Sequence, residues 1–367
     1  MLSIGKLVAG AEEYYLNTVA RGLEEYYTGA AEAPGHWLGS AAAELGLSSE
    51  VDASHLAAVL RGHSPLDGSL LTGRAVPPDK RVAGFDVTFS APKSVSVLYA
   101  LGAAEVAEAV RAAHDDAVFD ALSYLEAHAA MTRRGAAEKA VATTGLLAAG
   151  FRHRTSRAGD PQLHTHVLVA NAVRGNDGKW ASLHASLRYH HGRTSGFVYQ
   201  AALRSGLVER LGVSFGPLSQ GTAEIAGVPK QLVELFSKRR AEIVARLDEL
   251  GMSSRGAAEI ATLDTRKPKP AAGDAATEAT KLHEHWRAEA KAAGIRPEVL
   301  STLLERGPRS VDARRSTTAV IEFLLGPGGL THSVSSFEPA TSYEASPPSS
   351  QTAGASRRSR RSPMRSW

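Results

Sequence analysis

The 367-residue sequence contains no cysteine, which excludes disulfides and thiolate metal ligation alike. That absence suits a reducing compartment, and a cytoplasmic location is expected. No apolar run is long enough to span a bilayer, so no membrane insertion is expected. The first fifteen residues carry acidic side chains where a secretory leader would be apolar. A Gly-x-x-x-x-Gly-Lys-Ser/Thr loop is missing, and nothing supports a nucleotide cofactor. Internal repeats are missing too. Net charge is absent from most of the chain. The whole sequence carries +4, and residues 341–367 hold five Arg and one Glu, also +4. Residues 1–340 therefore sum to zero, and bulk charge gives no evidence of nucleic-acid binding by the folded part.

What is present is enough apolar material, 43% of residues, for one large core or two modest ones. Residues 10–28 are rich in Glu, Ala and Tyr and predict helix, interrupted near Gly22. Short helical pieces are expected around Gly39–Leu47 and Ala53–Leu60. Residues 82–90 alternate, with Ala83, Phe85, Val87 and Phe89 on one face and Gly84, Asp86, Thr88 and Ser90 on the other. The pattern predicts a half-buried strand. Ser90-Ala-Pro-Lys then reads as a helix start with Ser90 as N-cap. Helices are expected at Ala103–His128 and Ala130–Lys139, and Asn176-Asp-Gly-Lys-Trp reads as a turn into a strand. Further helices follow near Tyr189–Leu211, Pro229–Leu250 and Leu282–Ala293, with an extended basic linker at Thr265-Arg-Lys-Pro-Lys-Pro. Beyond about Gly326 Ser, Pro, Thr and Arg dominate without periodicity, and a disordered tail is expected.

Chemistry enters at Phe151–Asn171. His164 and His166 are two residues apart, so on a strand both rings leave the same face. His153 precedes a turn-prone Arg157-Ala-Gly-Asp-Pro segment. If the flanking arms pair as a hairpin with His153 opposite His164 or His166, all three rings share one face. The other register hides His153. Three imidazoles with open positions would suit Zn, Mn, Ni or Fe, and Mg less well.

Two other groups bear on that site. Tyr14-Tyr15 and Tyr26-Tyr27 supply four of the nine tyrosines. Their spacing fits amphipathic packing, but a phenolate can also attack phosphorus if a base and a metal assist it. A free phenol, with a pKa of about 10, needs that help at neutral pH. Asp86 is the available carboxylate, either a solvent-facing strand residue or a base that also orients a ligand histidine. Lys93, just inside the expected helix start, can meet a phosphate beside free backbone N–H groups or remain a surface lysine.

Taken together, these segments resemble the relaxase domain of plasmid-transfer relaxase–helicases, the TrwC/TraI-like (MobF-type) group of HUH endonucleases. The likeness rests on the paired tyrosines, on Phe85-Asp-Val-Thr-Phe-Ser-Ala-Pro-Lys-Ser-Val-Ser, on Phe151-Arg-His through Asp160-Pro-Gln-Leu-His-Thr-His, and on Phe236-Ser-Lys-Arg. It implies an α+β fold: a central antiparallel sheet in a two-layer sandwich, helices on one face, and a C-terminal helical region closing over DNA. It divides the chain into a nickase domain at 1–295, a residual linker toward a helicase at 296–330 and a tail at 331–367.

The resemblance also implies roles. Tyr14 would cleave one DNA strand and stay linked to its 5′ phosphate, and Tyr26 would serve the later strand transfer. Asp86 would assist deprotonation, Lys93 would contact DNA, and His153, His164 and His166 would hold one divalent ion, Mg, Mn or Zn. The implied partners are single-stranded and hairpin DNA at a transfer origin, relaxosome accessory proteins and a coupling protein. Tyr14 and Tyr26 are twelve residues apart, about one helical turn more than in the best-known plasmid members, so Tyr15 and Tyr27 remain alternatives. Where such proteins continue into a helicase, this sequence turns into a Ser/Arg-rich tail, and a truncation or shifted frame is the expectation. Three other readings stay open: a rolling-circle replication initiator, in which the tyrosine would follow the histidines, a DNA-binding remnant, and a histidine-metal hydrolase.

Overall fold

The computed structural model describes residues 2–8, 35–72, 77, 81–135, 139–156, 158–184, 191–249 and 275–304. The expected helix at 10–28, the basic linker near 265 and the tail lie outside these residues.

Five antiparallel strands form the central sheet: β1 (Leu2–Val8), β2 (His36–Leu38), β3 (Val82–Ser90), β6 (Ala148–Thr155) and β7 (Pro161–Ala170), in the order β1-β3-β7-β6-β2. Two small ribbons accompany it, β4 (Met131–Arg134) with β5 (Lys139–Ala142), and β8 (Val173–Arg174) with β9 (Trp180–Ala181). The α+β expectation holds.

Two short helices, α1 (Ser40–Glu44) and α2 (Ala53–Leu60), lie early in the chain. One sheet face is covered by the helices that follow, α3 (Lys93–Leu101), α4 (Ala104–Ala129) and α5 (Gly192–Leu211). Along α4, Val106, Val110, Ala113, Ala117, Ala121 and Leu125 recur at helical spacing and are buried. They join Val87, Phe89, Val167, Val169, Leu203 and Leu207 in the larger core cluster. α6 (Lys230–Leu235), α7 (Lys238–Glu249) and α8 (Ala275–Ala292) follow, then a 3-10 turn at Pro297–Leu303. Within the stretch 296–330, Leu300 and Leu303 are buried in this same cluster.

The opposite face is covered over part of its area. Leu7, Trp37, Leu56, Leu60, Leu147, Ala149, Phe151, Leu168 and Ala170 form a smaller cluster there with α1 and α2. Its neighbour on that face is polar and holds the histidines.

Local expectations fail in four places, each for a tertiary reason. The described residues of 130–139 are strand and turn instead of helix: Gly135 takes φ 71° and buried Thr132 donates to Ser182 O, fixing a β4–β5 ribbon. The helix expected over 229–250 is two helices, interrupted at Phe236-Ser237. Ser90 stays in β3 and is not an N-cap. Glu224 caps α3 instead, its Oε2 accepting Ser94 N–H at 2.8 Å from 130 residues away. Finally, β3 is buried on both faces, Asp86 included, with 8% of its surface exposed.

Candidate metal centre

The site is built on three neighbouring strands. β6 pairs with β7 so that His153 stands opposite His164, and β7 pairs with β3 so that His166 stands opposite Thr88. Side chains directly opposite share a face, so this register brings the three histidines together. Their ring centroids are 5.1–5.2 Å apart, and one ring nitrogen from each lies within 4.8 Å of the others. All three are almost withdrawn from solvent.

Each β7 histidine has a fixed ring orientation. His166 Nδ1 is 2.9 Å from Asp86 Oδ2 and 3.0 Å from Oδ1. Donation of Nδ1–H to a carboxylate leaves Nε2 as the lone-pair nitrogen, the form that binds a metal. His164 Nδ1 lies 2.8 Å from the Gln162 carbonyl, which imposes the same tautomer. Thr88 Oγ1 donates to Asp86 Oδ1 at 2.9 Å and lies 3.1 Å from His166 Nδ1. The imidazole donor set, with its outer carboxylate and carbonyl, fits a first-row divalent ion with open positions. Among the described residues no other group of three His, Cys, Asp or Glu converges in this way.

Asp86 is therefore not a solvent-facing strand residue. Thr88 and the Gln162 carbonyl are parts of the candidate site that the sequence did not single out. The signal for Thr88 was its place beside Asp86 on the polar face of an alternating strand. A backbone carbonyl leaves no signal at all.

Lys93 sits otherwise than a phosphate-binding lysine at a free helix end. Its Nζ donates to Pro161 O at 2.8 Å, and burial lowers its pKa to about 8 despite the charges of Asp160 and Glu224. The adjacent N–H of Ser94 is already taken by Glu224. Tyr14, Tyr15, Tyr26 and Tyr27 lie outside the described residues.

Beneath the centre, on the helix-covered face, lies a second polar group. His114 Nδ1 is 2.8 Å from Tyr199 Oη and its Nε2 is 2.8 Å from Thr165 Oγ1. Beside it Arg152 Nη1 pairs with Asp115 Oδ2 at 2.5 Å. Burial raises the Asp115 carboxyl to about 6, opposed by Arg152 and Arg111.

Known proteins share this architecture. Residues 8–293 match the family model described as TrwC relaxase. The multifunctional conjugation protein TraI of Escherichia coli is 37% identical over 245 residues, 64% of this chain but only 13% of that protein's length. The conjugative relaxase TrwC in complex with oriT DNA, in its metal-bound structure, superposes with TM-score 0.68 at 32% identity. The match covers 81% of this chain and all of that one. TrwC complexed with a 27-mer DNA comprising the recognition hairpin and the cleavage site gives 0.67 at 32% identity, with the same coverage. No described helix is long and apolar enough to cross a membrane.

Proposed function

The chain belongs to the TrwC relaxase family, and from that premise we propose that it is a metal-dependent, strand-specific DNA nickase and strand transferase acting at a plasmid transfer origin. The observation that carries this reading is the convergence of His153, His164 and His166 within 4.8 Å, with Asp86 fixed on His166. The TrwC structures bound to oriT DNA and to metal support DNA and a divalent ion as ligands.

His153, His164 and His166 would hold the ion. When bound, it withdraws charge from a non-bridging oxygen of the scissile phosphate. The protein's own residues do the rest. Tyr14 Oη attacks phosphorus as its proton passes to Asp86, the new Tyr–O–P bond forms, the P–O3′ bond breaks, and the leaving O3′ takes a proton from solvent to become a 3′ hydroxyl. Tyr26 repeats the attack on a second strand passage. The phosphotyrosine conserves the phosphodiester's energy, so resealing requires no nucleotide.

Asp86 has two roles. It orients His166, and it is the base for the tyrosine proton. Its two oxygens together offer about four lone-pair sites, so the bonds from His166 and Thr88 leave it capacity to accept another. Lys93, expected to contact DNA, instead contributes through its bond to Pro161 at the start of β7. Accessory proteins of a relaxosome and a coupling protein complete the proposed assembly.

The test is incubation with a supercoiled plasmid bearing the cognate origin and Mn or Mg. Expected is a relaxed product whose 5′ end carries protein, with mass spectrometry locating the adduct on Tyr14, and loss of product in the Tyr14→Phe/Tyr26→Phe double variant. Cleavage without any covalent adduct would instead favour a hydrolase.

A further inference from the structure

The turn joining β6 to β7 is held by the C-terminal helices. Asp160, last residue of that turn, is fully buried. Its Oδ2 accepts the Arg239 backbone N–H in the first turn of α7 at 3.4 Å, and its Oδ1 lies 3.5 Å from Lys238 Nζ. Lys238 Nζ is in turn 2.5 Å from Glu289 Oε1 on α8. One residue earlier, Gly159 adopts φ 78°, a conformation suited to glycine, and its carbonyl accepts the indole N–H of buried Trp286 at 2.9 Å. One residue later, Pro161 O accepts from Lys93. Three consecutive residues, the last two of the turn and the first of β7, are thus tied to three different helices.

The sequence marks both halves of this contact. Asp160-Pro-Gln-Leu-His-Thr-His and Phe236-Ser-Lys-Arg are separate motifs, and Asp160 accepts an N–H in the first turn of the second helix, just after the first ends at Leu235 with Phe236 as its C-cap. A buried carboxylate contributes little net stability even when paired, because its desolvation offsets the attraction. Burial indeed raises the Asp160 pKa, against the pull of Lys93 and Lys238. Placement is what such a group can supply. β7 begins immediately after it, and His164 is four residues along. Strand backbones are stiff along their length, so displacing the turn displaces β7 against β3 and β6 and spreads the ring nitrogens.

We infer that Asp160, Lys238 and Trp286 form a positioning latch, through which the C-terminal helices set the geometry of the histidine centre. This rests on the reading that the histidines hold a metal. Asp160 and its partners touch no reacting atom; they act through β7.

The experiment is Co²⁺ titration of the full chain, followed by visible d–d absorption, well below the unfolding temperature. Wild type is expected to bind one Co²⁺ with a defined band; failure to do so would remove the metal reading itself. Lys238→Met is expected to weaken Co²⁺ binding about tenfold, the low end of outer-shell effects, and to alter the band, with Lys238→Arg restoring most of both. Trp286→Phe, which keeps a ring but removes the N–H donor, is expected to act in the same direction and carries the test if Lys238→Met does not fold. Variants that melt at lower temperature yet bind Co²⁺ with wild-type affinity and band would overturn the latch.

Discussion

Strand β7 places His164, Thr165 and His166 in succession, and the two sheet faces treat imidazole in opposite ways. On the helix-covered face, His114 lies fully buried with both ring nitrogens bonded, to Tyr199 and Thr165. Burial holds its pKa well below the usual histidine value, so the ring is neutral. It has nothing left to offer a ligand. On the other face, His164 and His166 each hold Nδ1 against an acceptor, the Gln162 carbonyl and Asp86, and both rings converge with His153. Residue type and burial are nearly the same in both places. What distinguishes a candidate ligand from a structural histidine here is convergence: one ring nitrogen of His153, His164 and His166 lies within 4.8 Å of the others, and His114 belongs to no such group among the described residues.

The comparison can be broken by exchanging the consequences. His164→Ala is expected to weaken divalent metal binding by more than about a hundredfold, since even outer-shell partners cost 10–100-fold. Its melting temperature without metal should stay close to wild type. Calorimetric titration reads the first quantity and a thermal scan the second. A metal affinity within a few fold of wild type would place the ion elsewhere.

His114→Leu should do the reverse. It leaves buried Tyr199 and Thr165 hydroxyls without their partner, so a loss of about 1–3 kcal/mol is expected. Urea unfolding would measure it, while metal affinity changes less than in His164→Ala. Equal effects on both quantities would mean that the two faces are one coupled unit.

A smaller effect concerns Lys93, which ties the start of α3 to Pro161 at the start of β7. Its folded-state pKa, lowered to about 8 by burial, lies below the ordinary 10.5. The unfolded chain therefore binds more protons in that window, and stability should rise as pH increases from about 8 to 10.5. That contribution is lost as pH falls through 8. Lys93→Met should flatten this part of the stability–pH curve, and an unchanged slope would contradict the assignment.

Much of this was legible in the residues. The alternation over 82–90 gives β3, and the His-x-His spacing gives one shared face on β7. The third ligand was conditional, because periodicity cannot choose between strand registers; the turn and the pairing of His153 with His164 decide it. Long-range ties were not legible. Glu224 caps α3, Asp160 accepts an N–H in the first turn of α7, and β4–β5 replaces a helix, and in each case the deciding partner is distant in the chain or is backbone. Propensity sees only neighbours. The same limit hid His114, whose role depends on Tyr199, 85 residues away, and on Thr165.

The most direct test of the central claim is X-ray absorption at the metal edge of the protein loaded with one equivalent of Co²⁺ or Zn²⁺. Three imidazole nitrogens at about 2.0–2.1 Å, falling to two in His153→Ala, are the expected result. A shell made only of oxygen, or one unchanged by that substitution, would contradict it.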